Sequence, residues 1–156
     1  MPAAVEVVPI AAADRSALDD LMHDYLREMA AIISQPPLHH YPRLDRYWSE
    51  PERWPLWILG RGRRVGFALL RHDPTEGVFD MAEFFVVRQS RRAGIGMSAA
   101  RTIIARHPGR WRITQFEANT NAISFWHRVL AIYSYEERTT NVGVLRREQL
   151  FAVLPG

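Results

Sequence analysis

Glu83-Phe84-Phe85-Val86-Val87-Arg88-Gln89-Ser90-Arg91-Arg92-Ala93-Gly94-Ile95-Gly96-Met97 is the stretch whose reading decides the architecture. It begins as an apolar run, turns through a short basic loop, passes two glycines and enters a segment with helical spacing of apolar residues. A strand that leads into a helix in this way presents several unpaired backbone N–H groups at the positive end of the helix dipole. Such an end holds phosphate or pyrophosphate. Gly94 and Gly96 would let the backbone approach the anion with no Cβ in the way, and Arg91 and Arg92 would add charge at the phosphate oxygens. The competing account of both arginines is a solvated loop.

Outward from this stretch, Val78 to Val87 reads as one long strand and Gly94 to about Ala105 as a helix stopped by His107-Pro108-Gly109. Upstream, Val5 to Ile10 reads as a strand, and Asp14 is expected to cap a helix reaching Ile33, with Leu18, Leu21, Met22, Tyr25 and Met29 at helical spacing. The prolines of residues 35–42 mark a loop, Leu44 to Ser49 a short helix, and Leu56 to Leu59 with Val65 to Arg71 a hairpin. Downstream come a strand from Trp111 to Glu117, a helix from Asn121 to about Leu130, and strands near Ile132 to Glu137 and Gln149 to Leu154. This order specifies a mixed α/β architecture.

The chain has 156 residues, close to the length of one domain, so residues 1–156 are read as a single unit. Hydrophobic residues at 47% and charged residues at 24% exclude a largely disordered or low-complexity chain. No apolar run approaches the length of a membrane span, and no basic segment precedes an apolar one near Met1, so a cytoplasmic protein with no membrane partner is expected. With no cysteine, thiol catalysis and thiolate metal sites are excluded. All 20 basic residues are arginines, so no lysine amine is available for a Schiff base or an acyl intermediate. The formal charge of +3 does not by itself demand nucleic acid.

Two ligand readings of the central stretch compete. Gly94-x-Gly96-x-x-Ala99 fits a relaxed dinucleotide fingerprint, with Glu117 placed as an acceptor for a ribose hydroxyl, which would make the chain an NAD-dependent oxidoreductase. Against this, Arg88 to Ala93 intervene between the strand and the first glycine. The second reading is a resemblance. Arg91-x-x-Gly94-x-Gly96, after a strand ending at Val87, resembles the acetyl-CoA motif of the GNAT N-acetyltransferase superfamily, and Asn119-x-x-Ala122-x-x-x-Trp126 resembles its Asn-x-x-Ala-x-x-x-Tyr pattern.

The resemblance implies a three-layer fold in which a mixed central sheet, flanked by helices, splays between two central strands, here Val78 to Val87 and Trp111 to Glu117. It implies acetyl-CoA as cosubstrate and direct transfer of the acetyl group to a primary amine in a ternary complex. Pyrophosphate would then lie on the backbone of Arg91, Arg92, Ala93, Gly94, Ile95, Gly96 and Met97. Pantetheine would pair with Phe85, Val86 and Val87, an amide of the coenzyme would meet Asn119, and Trp126 would border the site. A backbone N–H near Phe85 or Val86 would stabilise the thioester oxyanion.

An alkylamine enters mostly protonated, so a base is needed. Glu83 and Asp80 are the carboxylates of the splayed strand, and regular alternation puts them on opposite faces unless a bulge intervenes. Glu83 is preferred, since it interrupts an apolar run close to the motif, while Asp80 is expected to be solvated. The tyrosine that protonates the leaving thiolate in the superfamily is replaced by Trp126, an indole that cannot serve as an acid, so Tyr133, Tyr135 or water would take that role. His127 should project from another helical face. Tyr41, Tyr47, Trp48, Trp54 and Trp57 are read mainly as packing with a few available to wall an acceptor site, and His39-His40 lacks metal-ligand spacing. A non-catalytic acyl-CoA sensor or scaffold remains an alternative. The acceptor, a small-molecule amine or a peptide amine, is not specified by these motifs, and a homodimer formed through the last strands is conceivable in such a superfamily.

Overall fold

The computed structural model describes residues 4–156. β1 (Val5–Pro9), β2 (Arg53–Gly60), β3 (Arg63–Asp73) and β4 (Val78–Val86) form an antiparallel half-sheet. β5 (Gly109–Phe116) joins β4 in parallel, as the helical crossover between them requires. β6 (Glu136–Asn141) and β7 (Leu145–Val153) complete the sheet in the order β1-β2-β3-β4-β5-β7-β6. Helices α1 (Arg15–Ile33) and α2 (Arg46–Ser49) precede β2, α3 (Ile95–Ala105) connects β4 to β5, and α4 (Thr120–Val129) follows β5.

The helices cover both faces of this sheet, giving three layers. In α1 the residues Leu18, Met22, Leu26 and Ala30, each four apart, form the buried stripe. Leu18, Met22 and Leu26 pack on Trp57, Phe67, Leu69 and Phe85. The other face is covered by Ala99, Ala100, Ile103 and Ile104 of α3 and by Trp126 and Val129 of α4, against Trp111 and Ile113 of β5. Strands enclosed on both sides need apolar residues at consecutive positions, which is why β3 buries Gly66 through Leu70 without a break.

Two irregularities prepare the site. The β3–β4 register pairs Leu70 with Met81 but Leu69 with Glu83, so Ala82 is the extra residue of a bulge. Beyond it, β4 and β5 separate. Their parallel pairing covers only Phe79↔Trp111 and Asp80↔Arg112, and the splay expected between the central strands is present.

Three local expectations are corrected. Leu130–Ile132 is a 3-10 turn, and the strand expected there begins at Glu136. β6 is an exposed edge of polar residues, the usual means of discouraging further strand pairing, and it therefore lacks the alternation that marks a half-buried strand. β7 begins at Leu145 rather than Gln149. Asp14 precedes α1 but makes no capping hydrogen bond; its carboxylate lies 3.4 Å from Arg64. Among the described residues, no helix is long and apolar enough to cross a membrane.

Candidate functional site

After Val86 the chain makes one 3-10 turn, Arg88–Ser90, and bends into α3 at Gly94. Gly94 has φ of 78° and ψ of 1°, a left-handed conformation that any Cβ would strain. No side chain caps α3, so its first-turn N–H groups are offered outward beside the exposed residues Arg91 to Gly94. Gly96 has a different reason to be glycine. A Cβ there would sit 3.1 Å from the Phe125 ring, so its absence lets α3 close on α4.

The two arginines of the bend differ. Arg91 does not point at an anion: its guanidinium forks onto Glu28 of α1 at 2.8 and 2.6 Å, its Nε donates to the Val86 carbonyl at 2.8 Å, and its charge stands over the Phe85 ring. The expected phosphate contact gives way to a brace between the bend and α1, and this brace holds the Glu28 carboxyl below its ordinary pKa. Arg92 is exposed with φ of 65° and carries the turn itself.

Backbone direction in β4 also corrects an expectation. Val87 donates its N–H to the Val65 carbonyl at 2.8 Å, and antiparallel alternation turns Phe85 toward β3 as well. The backbone groups facing the gap are those of Phe84 and Val86, whereas those of Phe85 and Val87 are turned to β3, so of the three residues expected to pair with pantetheine only Val86 faces the gap.

A cavity of about 410 Å³ lies where β4 and β5 part, under α1 and the start of α4. Glu83 is half-buried in its wall. The Tyr25 hydroxyl of α1 donates to Glu83 Oε2, and the Tyr41 hydroxyl, which lines the same cavity, also favours the ionised carboxyl. Burial dominates over these bonds and over the more distant charge of Arg146, and pushes the Glu83 pKa up to about 7. The same burial, with the Glu83 charge next to it, raises the Tyr25 and Tyr41 hydroxyls far above the ordinary phenol range, so both remain donors.

Asp80 lines the same cavity, because the Ala82 bulge places it on the face of Glu83 rather than opposite. It is buried rather than solvated. Arg112 grips it with two hydrogen bonds of 2.7 and 2.8 Å, and Arg71 approaches to 3.1 Å, so its oxygens are committed. Asn119 is the N-cap of α4: its Oδ1 accepts from the Ala122 N–H at 3.2 Å while its Nδ2 faces the Met29 sulfur. The Asn-x-x-Ala spacing is therefore explained by capping, and only the weakly held Nδ2 can turn to a coenzyme amide. Trp126 is buried in the cavity wall, 5.3 Å from the Phe84 ring.

Tyr133 is not brought to the site. It packs on Phe151 at 5.2 Å, because the 3-10 turn before it carries the chain back under the far face of the sheet. Tyr135 stacks on His127, whose Nε2 lies 2.6 Å from Glu137. Glu117, needed for the dinucleotide reading, is instead gripped by Arg147. Among the described residues no group of three or more His, Asp or Glu is arranged to hold a metal.

Sequence reasoning did not place Tyr25, Phe84 or Arg146 at this cavity, and it had Tyr41 only as one of several aromatics available to wall an acceptor site. Tyr25 was part of the apolar stripe of α1, and its polar tip was the one sign that this stripe ended at something other than core.

Comparison with known proteins agrees with this fold. The model of the Acetyltransferase (GNAT) family matches residues 18–131. A solved acetyltransferase from Thermus thermophilus superposes with a TM-score of 0.76 at 14% identity, covering 97% of this chain and 99% of its own. Spermidine N-acetyltransferase from Vibrio cholerae, in complex with CoA and spermine, gives 0.70 at 6% identity over 96% and 95%. The ribosomal-protein-S18-alanine N-acetyltransferase from Escherichia coli gives 0.66 at 12% over 97% and 95%. No curated protein matches the sequence.

Proposed function

The chain belongs to the GNAT acetyltransferase family, and from that premise we propose that it moves the acetyl group of acetyl-CoA to a primary amine held beside Glu83, with no covalent enzyme intermediate. The observation that carries this reading is Glu83 itself. A carboxylate with a pKa near 7, in a cavity opening onto parted strands, is matched to accepting a proton from an ammonium group at neutral pH.

The residues fit the coenzyme. Gap-facing N–H groups at Phe84 and Val86 can pair with an extended pantetheine arm, and the uncapped start of α3 at Gly94 to Met97 can hold the pyrophosphate. Several solved structures of this fold contain CoA. Glu83 takes a proton from the bound ammonium, and the freed nitrogen lone pair attacks the thioester carbon. The C–N bond forms, the C–S bond breaks, and the electron pair leaves on sulfur. Whichever of the Phe84 and Val86 N–H groups lies beside the thioester, rather than the arm, stabilises the charge that develops on the carbonyl oxygen. Water relays the second proton of the attacking nitrogen to the departing thiolate, leaving a neutral amide and free CoA thiol, since Trp126 supplies no acid. Tyr25 is a positioning residue that fixes the Glu83 carboxyl.

The test is an acetyl-CoA assay with a panel of amines, monitored by release of free thiol, beside calorimetry of CoA binding to wild type and Gly94→Val. Amine-dependent thiol release and loss of CoA affinity in the variant are the expected outcomes. Tight CoA binding with no thiol release from any amine would instead identify a sensor.

A further inference from the structure

We propose that the acceptor carries an anionic group close to its amine, a carboxylate or a phosphate, and that Arg146 of β7 receives it. This inference rests on the reading of the cavity as the acetyl-transfer site and names its substrate class.

The cavity is lined by four arginines, Arg53, Arg71, Arg112 and Arg146, against three carboxylates, Asp80, Glu83 and Glu148. Most of these charges are already answered. Asp80 is held by Arg112 and Arg71, Glu148 accepts from Arg138 at 2.8 Å, Arg53 donates to Glu50 at 2.6 Å, and Glu83 accepts from Tyr25. Arg146 is the exception. Among the described residues it forms no ion pair, and its Nε is buried with no hydrogen-bond partner. Its guanidinium lies over the Phe116 ring at 5.3 Å, at the register position opposite Phe116, where β5 has already parted from β4. A buried donor without an acceptor is destabilising, so the site is complete only when an acceptor enters it.

Arg146 also faces the base. Both side chains line the one cavity of about 410 Å³, so one small molecule can reach both. An ammonium beside Glu83 and an anionic oxygen group a few bonds away satisfy the two ends at once, and a planar guanidinium fork is matched to a carboxylate or phosphate. A polycationic amine would meet guanidinium groups instead of partners.

The experiment compares matched acceptors: L-amino acids against their carboxamides, and O-phosphoethanolamine against ethanolamine, with wild type, Arg146→Gln and Arg146→Lys. Wild type should prefer the anionic member of a pair by about 30-fold in kcat/KM, the discrimination of a charge-assisted hydrogen bond. In Arg146→Gln this ratio should collapse toward one, and Arg146→Lys should restore part of it. Removing Arg146 also alters the influence on Glu83, but that acts on both members of a pair alike, so the ratio is what is read. Which pair shows the preference tells carboxylate from phosphate. Equal or better use of the neutral amines by wild type, or a ratio that survives in Arg146→Gln, overturns the inference. Should no amine be acetylated, the transfer reading fails, and calorimetry of the same pairs on CoA-loaded protein decides. Binding confined to the anionic members and lost in Arg146→Gln upholds the anion site, while indifferent binding refutes it. If Arg146→Gln does not fold, the wild-type ratio and Arg146→Lys carry the decision.

Discussion

Asp80 and Glu83 stand on the same strand, face the same cavity and meet opposite fates. At Asp80 the two central strands are still paired, and the neighbouring residue on β5, Arg112, reaches it directly. One bulge further on, the strands have parted, and Glu83 is left with tyrosine hydroxyls and burial in place of a close cation. The lesson is that the separation of two strands sets the chemistry of the side chains along them. Where the sheet is closed a carboxylate is a strut, and where it opens a carboxylate is left without a close cation, as the proposed base requires.

Three substitutions, read in four measurements, would break or sharpen that contrast. The largest effect belongs to Glu83→Gln, which should lower kcat about 10³-fold at neutral pH, within the range for loss of a general base, with CoA affinity by calorimetry unchanged. Equal turnover would remove Glu83 from the mechanism. Asp80→Asn should leave two guanidiniums without their carboxylate and cost about 3 to 5 kcal/mol of stability, read from denaturant unfolding, as the removal of one member of a buried pair does. A cost below about 1 kcal/mol would mean that the pair contributes little.

Glu83→Gln should move stability the other way. The folded pKa of Glu83 lies near 7, above its ordinary 4.5, so the folded state binds the proton more tightly and wild type loses stability as pH rises between those values. Glutamine resembles the protonated form and escapes this loss. The variant should match wild type near pH 4 and exceed it at pH 8 by on the order of 2 kcal/mol, allowing for partial exposure. Thermal melts at the two pH values check the sign. The smallest effect is that of Tyr25→Phe. Its hydrogen bond lowers the Glu83 pKa, so its loss should shift the acidic limb of the kcat/KM profile to higher pH and reduce the rate at pH 7 about fivefold. An unmoved profile would assign Tyr25 to packing alone.

Much of this contrast could be read before any coordinates. The bend from Arg91 to Met97 and the strand before it followed from local pattern, as did the preference for Glu83 that the proposed mechanism keeps, because glycine at a helix start and a charge in an apolar run are local signals. The pairing that commits the oxygens of Asp80 was not legible. It depends on a bulge at Ala82 and on an arginine 32 positions along the chain, neither of which leaves a mark in the residues around Asp80. Arg91 matched its motif yet turned to Glu28, a partner 63 positions away that no spacing rule connects to it. β6 stayed hidden because an exposed edge strand has no buried face to impose a period. Tyr25 and Arg146 reach the cavity from α1 and β7, so their meeting around Glu83 belongs to the tertiary fold.

The parting of β4 from β5 has one more consequence. A sheet ordinarily keeps its raw margins at its periphery, whereas this one holds two of them inside, facing each other across a slot roofed by helices. A folded strand from another molecule is too bulky to slip in, but a slim flexible ligand can thread it. Amide hydrogens of Phe84 and Val86 should then exchange with deuterated solvent far more slowly once the slot is filled, which turns the interior seam into its own footprint of occupancy.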